Sequence, residues 1–122
     1  MKNVRSHHRL KAWQEAMALV KYIYFTTAAF LKEELYGLTG QMRRAAVSIP
    51  SNIAEGAARN NEREFLQFLG IARGSLSELE TQLLIAAEVG YINDVTPALE
   101  QVEKLFALLG GLINTIKRRL HP

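Results

Sequence analysis

Gln41-Met-Arg-Arg-Ala-Ala-Val-Ser-Ile-Pro-Ser-Asn-Ile-Ala-Glu-Gly56 decides the fold. At 3.6 residues per turn, Arg44, Ser48, Ser51, Asn52 and Glu55 share one face, because residues three and four apart are neighbours on a helix. Met42, Ala45, Ala46, Ile49, Ile53 and Ala57 form the apolar side. Pro50 lies inside the segment and costs it the hydrogen bond to the Ala46 carbonyl, so a kink is expected there, with Ser48 and Ser51 as candidates to satisfy the freed group. A free-standing solvated helix has no use for a small-residue strip that also carries Arg and Glu. A helix packed on both sides does.

Three more helical segments surround this one, and no strand pattern is visible. Before it, Leu10, Trp13, Met17, Val20, Tyr24, Thr27 and Leu31 step by three and four residues, with Gly37 as the expected stop. After it, Asn61 and Glu64 form a capping-box pair. The seam that follows is Phe65, Leu69, Ala72, Leu76, Leu79, Leu83 and Ala86, closed by Gly90. Thr96 is then the expected N-cap and Pro97 the first helical residue of the last segment. Its seam is Leu99, Val102, Phe106, Leu109, Ile113, Ile116 and Leu120. The expected helices cover about 9–32, 39–59, 62–89 and 97–119. Short connections make successive helices antiparallel neighbours, giving an all-α, antiparallel up-down-up-down four-helix bundle in one domain, 1–122.

Gly70 and Gly74 stand one turn apart on the third helix, and the second is rich in alanine. Each glycine costs a helix about 1 kcal/mol, so a close approach of these two helices is expected to offset it. Gly110-Gly111 is read the same way, or as a bend.

Composition narrows the function classes. The 48% apolar content is that of a globular chain rather than a disordered one. There is no cysteine, which excludes a disulfide framework and suits a reducing cytoplasm. No uncharged stretch reaches the roughly 20 residues of a membrane span, and no apolar run of signal-peptide length follows the N-terminus. The net charge is +3, and its distribution is uneven. Lys2, Arg5, Arg9 and Lys11 have no acid among residues 1–14; Lys104, Lys117, Arg118 and Arg119 have none among residues 104–122. The acids concentrate in residues 62–103.

In an up-down-up-down bundle one end gathers the start of helix 1, the end of helix 2, the start of helix 3 and the end of helix 4. Arg5, Arg9, Lys11, Arg59, Arg63, Lys117, Arg118 and Arg119 are therefore the candidate phosphate-contacting residues, in a salt-sensitive, sequence-independent mode. The bland alternative is a solvated terminus whose cations complement the helix dipole. No RNP aromatic pair, zinc knuckle or helix-turn-helix accompanies them.

The polar stripe Arg44, Ser48, Asn52 and Glu55 is expected to face Arg73, Ser77 and Glu80. It is read as structural ion pairing and hydrogen bonding that sets register, since it contains no nucleophile with a base. His7-His8 is expected in a frayed terminus without the third ligand a metal needs, so neither a metal site nor a cofactor is expected. Trp13 and Tyr24 are expected in the core. Tyr22, Phe25 and Phe30 widen the apolar surface beyond one seam, which favours a subunit interface over base stacking. No phosphate loop, zinc-protease or nucleophile-elbow signature occurs, and Glu78 and Glu80 point in different directions, so the chain is read as non-enzymatic.

The chain resembles the bacterial four-helix-bundle family encoded in intervening sequences of 23S ribosomal RNA genes. Trp13, Ala16, Gly37-Leu38, the whole Gln41–Gly56 string, Phe65, Phe68-Leu69, Ile71-Ala72, Gly74-Ser75, Glu78-Leu79-Glu80-Thr81 and Gly90-Tyr91 carry the resemblance. It implies a homopentamer, and kinship with the basic, pentameric accessory protein of diversity-generating retroelements, which binds nucleic acid and its reverse transcriptase. The expected partners are therefore a second copy of the chain and RNA or DNA. The competing reading is a protein–protein adaptor whose partner docks on the acidic flank or in the channel of the pentamer.

Overall fold

The computed structural model describes residues 5–122; Lys2 lies outside the described residues. Four helices make up almost all of it: α1 (Lys11–Thr27), α2 (Leu38–Ala57), α3 (Glu62–Glu88) and α4 (Thr96–Leu120). Short 3-10 turns at Ser6–Arg9 and Lys32–Glu34 flank α1, and no strand occurs among the described residues. α1 packs on α2 and α4, and α3 packs on α2 and α4. α1 and α3 do not touch, so they stand diagonally across a four-helix bundle.

Helix α1 differs from its expected form. It ends at Thr27, not near residue 32, and its buried seam is Ala12, Ala16, Leu19, Ile23 and Thr27. Of the expected seam, Met17, Tyr24 and Leu31 are exposed, Leu10, Trp13 and Val20 pack only against the margin of the core, and Thr27 alone is buried. Both stripes step by three and four, so periodicity alone cannot choose between them. The chosen stripe puts the small Ala12 and Ala16 inward, and the bulky side chains then spread over the surface beside it. Gly37 also differs: it does not stop α1 but stands at the N-cap position of α2.

Helix α2 is one continuous helix with Pro50 buried inside it. Its apolar face is the expected one, since Met42, Ala45, Ala46, Ile49 and Ile53 are all buried. The Ser48 hydroxyl does not turn back to the proline break. It meets the Ser75 hydroxyl of α3 at 2.8 Å, and Asn52 Nδ2 donates to the Ser48 carbonyl at 2.8 Å.

Helix α3 follows its seam closely; in α4 Val102, Leu109, Ile113 and Ile116 are buried as expected, but Ala98 and Leu105 take the buried places expected of Leu99 and Phe106, which like Leu120 are half-buried. Asn61 Oδ1 accepts from the Arg63 and Glu64 N–H groups, capping α3. Leu69, Ala72, Leu76, Leu79, Leu83 and Ala86 are buried. At the other end Gly90 adopts φ +88°; Tyr91 N–H bonds the Ala86 carbonyl and Gly90 N–H the Ala87 carbonyl, the Schellman arrangement that consumes the last free carbonyls. The N-cap position of α4 is Val95 rather than Thr96. Asp94 Oδ1 takes the Thr96 N–H at 3.1 Å, with Pro97 in the first turn as expected.

The close approach of α2 and α3 does not use Gly70 or Gly74, and nothing stands within 4 Å of where a Cβ would sit on either, nor on Gly110 or Gly111. Gly56 is the glycine that matters. A Cβ there would lie 2.7 Å from Phe68 Cβ and 2.9 Å from Phe65 Cδ1, so the backbone of α2 rests directly on α3.

Candidate nucleic-acid interface

Arg59 and Arg63 come from the junction of α2 and α3, and Lys117, Arg118 and Arg119 from the last turn of α4. The Arg59 guanidinium lies over the Phe68 ring, 5.0 Å from its centroid, which orients the head group while leaving it at the surface. Arg119 Nη1 reaches Glu62 Oε1 at 3.0 Å, tying the end of α4 to the start of α3. That exposed pair holds Arg119 in place and contributes little stability. Lys117 and Arg118 are exposed and pair with no acid among the described residues. They lie in the last turn of α4, where positive charge offsets the unsatisfied carbonyls.

Arg5, Arg9 and Lys11 lie before and at the start of α1. Lys104 Nζ meets Glu15 Oε1 at 2.9 Å, which places the third turn of α4 beside the second turn of α1. Arg5 and Arg9 belong to the Ser6–Arg9 turn region, which packs on α1 and α2.

This turn is not frayed as expected. His7 packs edge-on and His8 at a tilt against Trp13, with ring centroids 5.2 Å and 4.9 Å from the indole, and Gln14 Nε2 donates to the His8 carbonyl. Partial burial first, then the neighbouring His8 and Arg5, push the His7 imidazole below its usual pKa. Trp13 is thus a platform for the histidines rather than a core residue. Among the described residues no cluster of three His, Cys, Asp or Glu side chains is placed to hold a metal.

The expected polar stripe is only partly assembled. Ser48 and Asn52 meet, and the residue of α3 that joins them is Ser75, which the sequence reading did not single out. Arg44, Glu55 and Arg73 are exposed and Glu80 is half-buried; none of the four forms an ion pair among the described residues. The ion-pair register expected between α2 and α3 is therefore replaced by a small neutral hydroxyl–amide set. Ser77 is exposed, and its carbonyl accepts from the Thr81 hydroxyl.

At the opposite end, Glu34 closes the bundle. Its carboxylate accepts from the Tyr91 hydroxyl at 2.8 Å and from the Leu38 N–H at 3.1 Å. The Tyr91 bond, then the backbone bond, hold the carboxyl below its usual pKa, and the same contact raises that of Tyr91. Phe30 stacks on Tyr91 at 4.9 Å and is buried, so it belongs to this closure rather than to surplus surface. Phe25 and Tyr36 are the most exposed aromatics among the described residues, 85% and 92% accessible. The pairing of residues 57 positions apart leaves no periodic trace, which is why sequence reasoning missed it.

No helix among the described residues is long and apolar enough to cross a membrane. A comparison with curated proteins returned no match. The family model for the 23S rRNA-intervening sequence protein matches residues 8–114, spanning all of α1 to α3 and most of α4. The match covers the Gln41–Gly56 string and the Gly90-Tyr91 turn together with the bundle they build, and the chain belongs to the 23S rRNA-intervening sequence protein family.

Proposed function

We propose that this protein is a non-enzymatic, self-associating bundle of the cytoplasm that binds structured RNA, or DNA, through the cationic end formed by Arg59, Arg63, Lys117, Arg118 and Arg119. The observation that carries this reading is the pair Lys117 and Arg118, exposed in the last turn of α4 without an acid partner among the described residues. Cations left unneutralised beside further arginines release counterions when they meet phosphates. Arg5, Arg9 and Lys11 act as an additional contact.

Antiparallel up-down-up-down order is part of the proposal. Arg43 near the start of α2 bonds Thr27 at the end of α1, and Arg119 at the end of α4 bonds Glu62 at the start of α3. Both contacts support it. Self-association rests on two exposed apolar faces. One comprises Met17, Tyr24, Phe25, Leu31 and Tyr36 on and after α1; the other comprises Ile71, Leu84, Ile85 and Val89 on α3, beside the open Gly70 and Gly74. Because α1 and α3 are diagonal, these unlike faces point apart. A head-to-tail contact between them closes into a ring when the rotation permits. Five copies is the number implied by the family resemblance. A ring multiplies a weak phosphate contact by effective concentration.

Fluorescence anisotropy with a structured ribosomal RNA fragment and a length-matched duplex DNA, across a salt series, tests the reading. Tight binding with a steep salt slope, lost when Lys117 and Arg118 are replaced by glutamate, is the expected result. Absence of binding at low salt refutes it. The exposed apolar faces then favour the second reading, a protein–protein adaptor.

A further inference from the structure

The connection after α1 folds over the start of α2 and leaves a half-open cleft of about 290 Å³, lined by Thr27, Ala28, Phe30, Leu31, Lys32, Leu35, Thr39 and Arg43. It lies with the Glu34–Tyr91 closure; it uses none of the cations assigned to nucleic acid and borders the apolar face of α1 through Tyr24 and Leu31.

Most of the exposed lining is apolar, and four polar side chains break it: Thr27, Lys32, Thr39 and Arg43. The Arg43 guanidinium is held from two sides. Its Nε donates to Thr27 Oγ1 at 2.9 Å, and its face lies over the Tyr24 ring, 4.6 Å from the centroid. The Thr27 hydroxyl is itself fixed, donating to the Ile23 carbonyl at 2.7 Å. Arg43 forms no ion pair among the described residues, so its terminal nitrogens remain as an oriented fork of the kind that takes a carboxylate or phosphate in bidentate fashion. Thr39 is the second group. The residue is 4% exposed and lines the cavity, and its hydroxyl takes part in no hydrogen bond among the described residues, which leaves it open to a ligand there. Thr39 and Arg43 are four residues apart and share a face of α2, in its first turns, where the helix dipole favours an anion. Lys32 supplies a further cation to the lining. The nearby Glu34 carboxylate does not compensate this charge freely, since Tyr91 and Leu38 already engage it.

We propose that this cavity is a binding site for a small amphipathic anion: one carboxylate, taken by Arg43, Thr39 and Lys32, on an apolar body that lies against Phe30, Leu31 and Leu35. The volume is at the low end of ligand pockets, which suits a monocarboxylate of about six to eight carbons. The apolar lining discriminates against inorganic phosphate, and the oriented guanidinium discriminates against an uncharged chain of equal length.

The test is an NMR titration of the ¹⁵N-labelled full chain with octanoate, with octanol and inorganic phosphate as separate arms. Octanoate is expected to shift the amides of Ala28, Leu31, Leu35, Thr39 and Arg43 saturably, and to bind at least about tenfold more tightly than either control, the scale of one charge-assisted hydrogen bond. Thr39→Val keeps the shape and removes the hydroxyl; Arg43→Gln keeps much of the stem and removes the charge. Each is expected to weaken octanoate several-fold, with the rest of the spectrum unchanged. If Arg43→Gln disturbs the fold through Thr27, Thr39→Val carries the test alone. Equal binding of octanol, equal binding of phosphate, shifts centred elsewhere, or undiminished affinity in Thr39→Val would each overturn the proposal.

Discussion

Replacing Gly56 by alanine has two opposed effects, and the structure says which wins. Alanine is the better helix former by about 1 kcal/mol, and α2 is helical through residue 56. Against that gain, the new Cβ would stand 2.7 Å from Phe68 Cβ and 2.9 Å from Phe65 Cδ1. Phe68 Cβ sits next to the backbone of α3 and cannot swing away as the end of a flexible side chain can. Relief requires the two helices to separate, and overpacking of this kind costs about 1–3 kcal/mol. The expected net effect is a destabilisation of up to about 2 kcal/mol, or a fall in Tm of several degrees for a chain of this size. Gly70→Ala is the internal control: no atom lies within 4 Å of its new Cβ, so the propensity term stands alone and α3 gains about 0.5–1 kcal/mol. Urea unfolding followed by circular dichroism, at two protein concentrations a hundredfold apart, reads both. Equal stabilisation by the two substitutions would refute the close α2–α3 approach at Gly56. A Gly70→Ala penalty that grows with protein concentration would mean that a second copy covers the open face of α3.

Three further outcomes follow from the geometry. The Glu34 carboxyl is held below its ordinary value, so its contribution to stability is fully present above the ordinary carboxylate range and is lost as pH falls through the lower folded value; Tyr91→Phe should lower Tm near neutrality, and the difference from the parent chain should shrink as pH falls, flattening the Tm–pH curve on the acid side. His7 is likewise depressed, so its edge-on contact with Trp13 is complete above the usual histidine pKa and is lost as pH falls through the lower folded value. The fluorescence of Trp13, the single tryptophan, should titrate with a midpoint under 6.5, and a midpoint above that value would contradict the packing described. Ser75→Ala should lose a part-buried hydroxyl pair and cost about 0.5–1.5 kcal/mol in chemical denaturation, whereas Ser77→Ala, on an exposed position of the same helix, should be close to neutral.

The candidate sites were unequally legible. Lys117, Arg118 and Arg119 were evident as a charge run at a helix end. Their tie to α3 through Glu62 depended on how α4 packs beside α3. The polar stripe was visible on α2, but ion pairs were expected where the helices instead bring Ser48 to Ser75. The Arg43–Thr39 cavity left no sequence signal, because it is built by the residues that follow α1 and not by any repeat.

By itself the sequence determined the number and type of the elements and most of the buried faces of α2, α3 and α4. There a single apolar stripe steps at 3.6 residues, and the caps Asn61, Gly90 and Pro97 mark the ends. Tertiary structure alone decided the rotation of α1 and the site of closest helix contact. In α1 two adjacent stripes are both apolar, and only packing against α2 and α4 selects the small-residue stripe Ala12–Ala16–Leu19–Ile23. Gly56 and Gly70 carry the same residue type in the same kind of helix; what separates them is whether a phenylalanine from the neighbouring helix stands where the side chain would be.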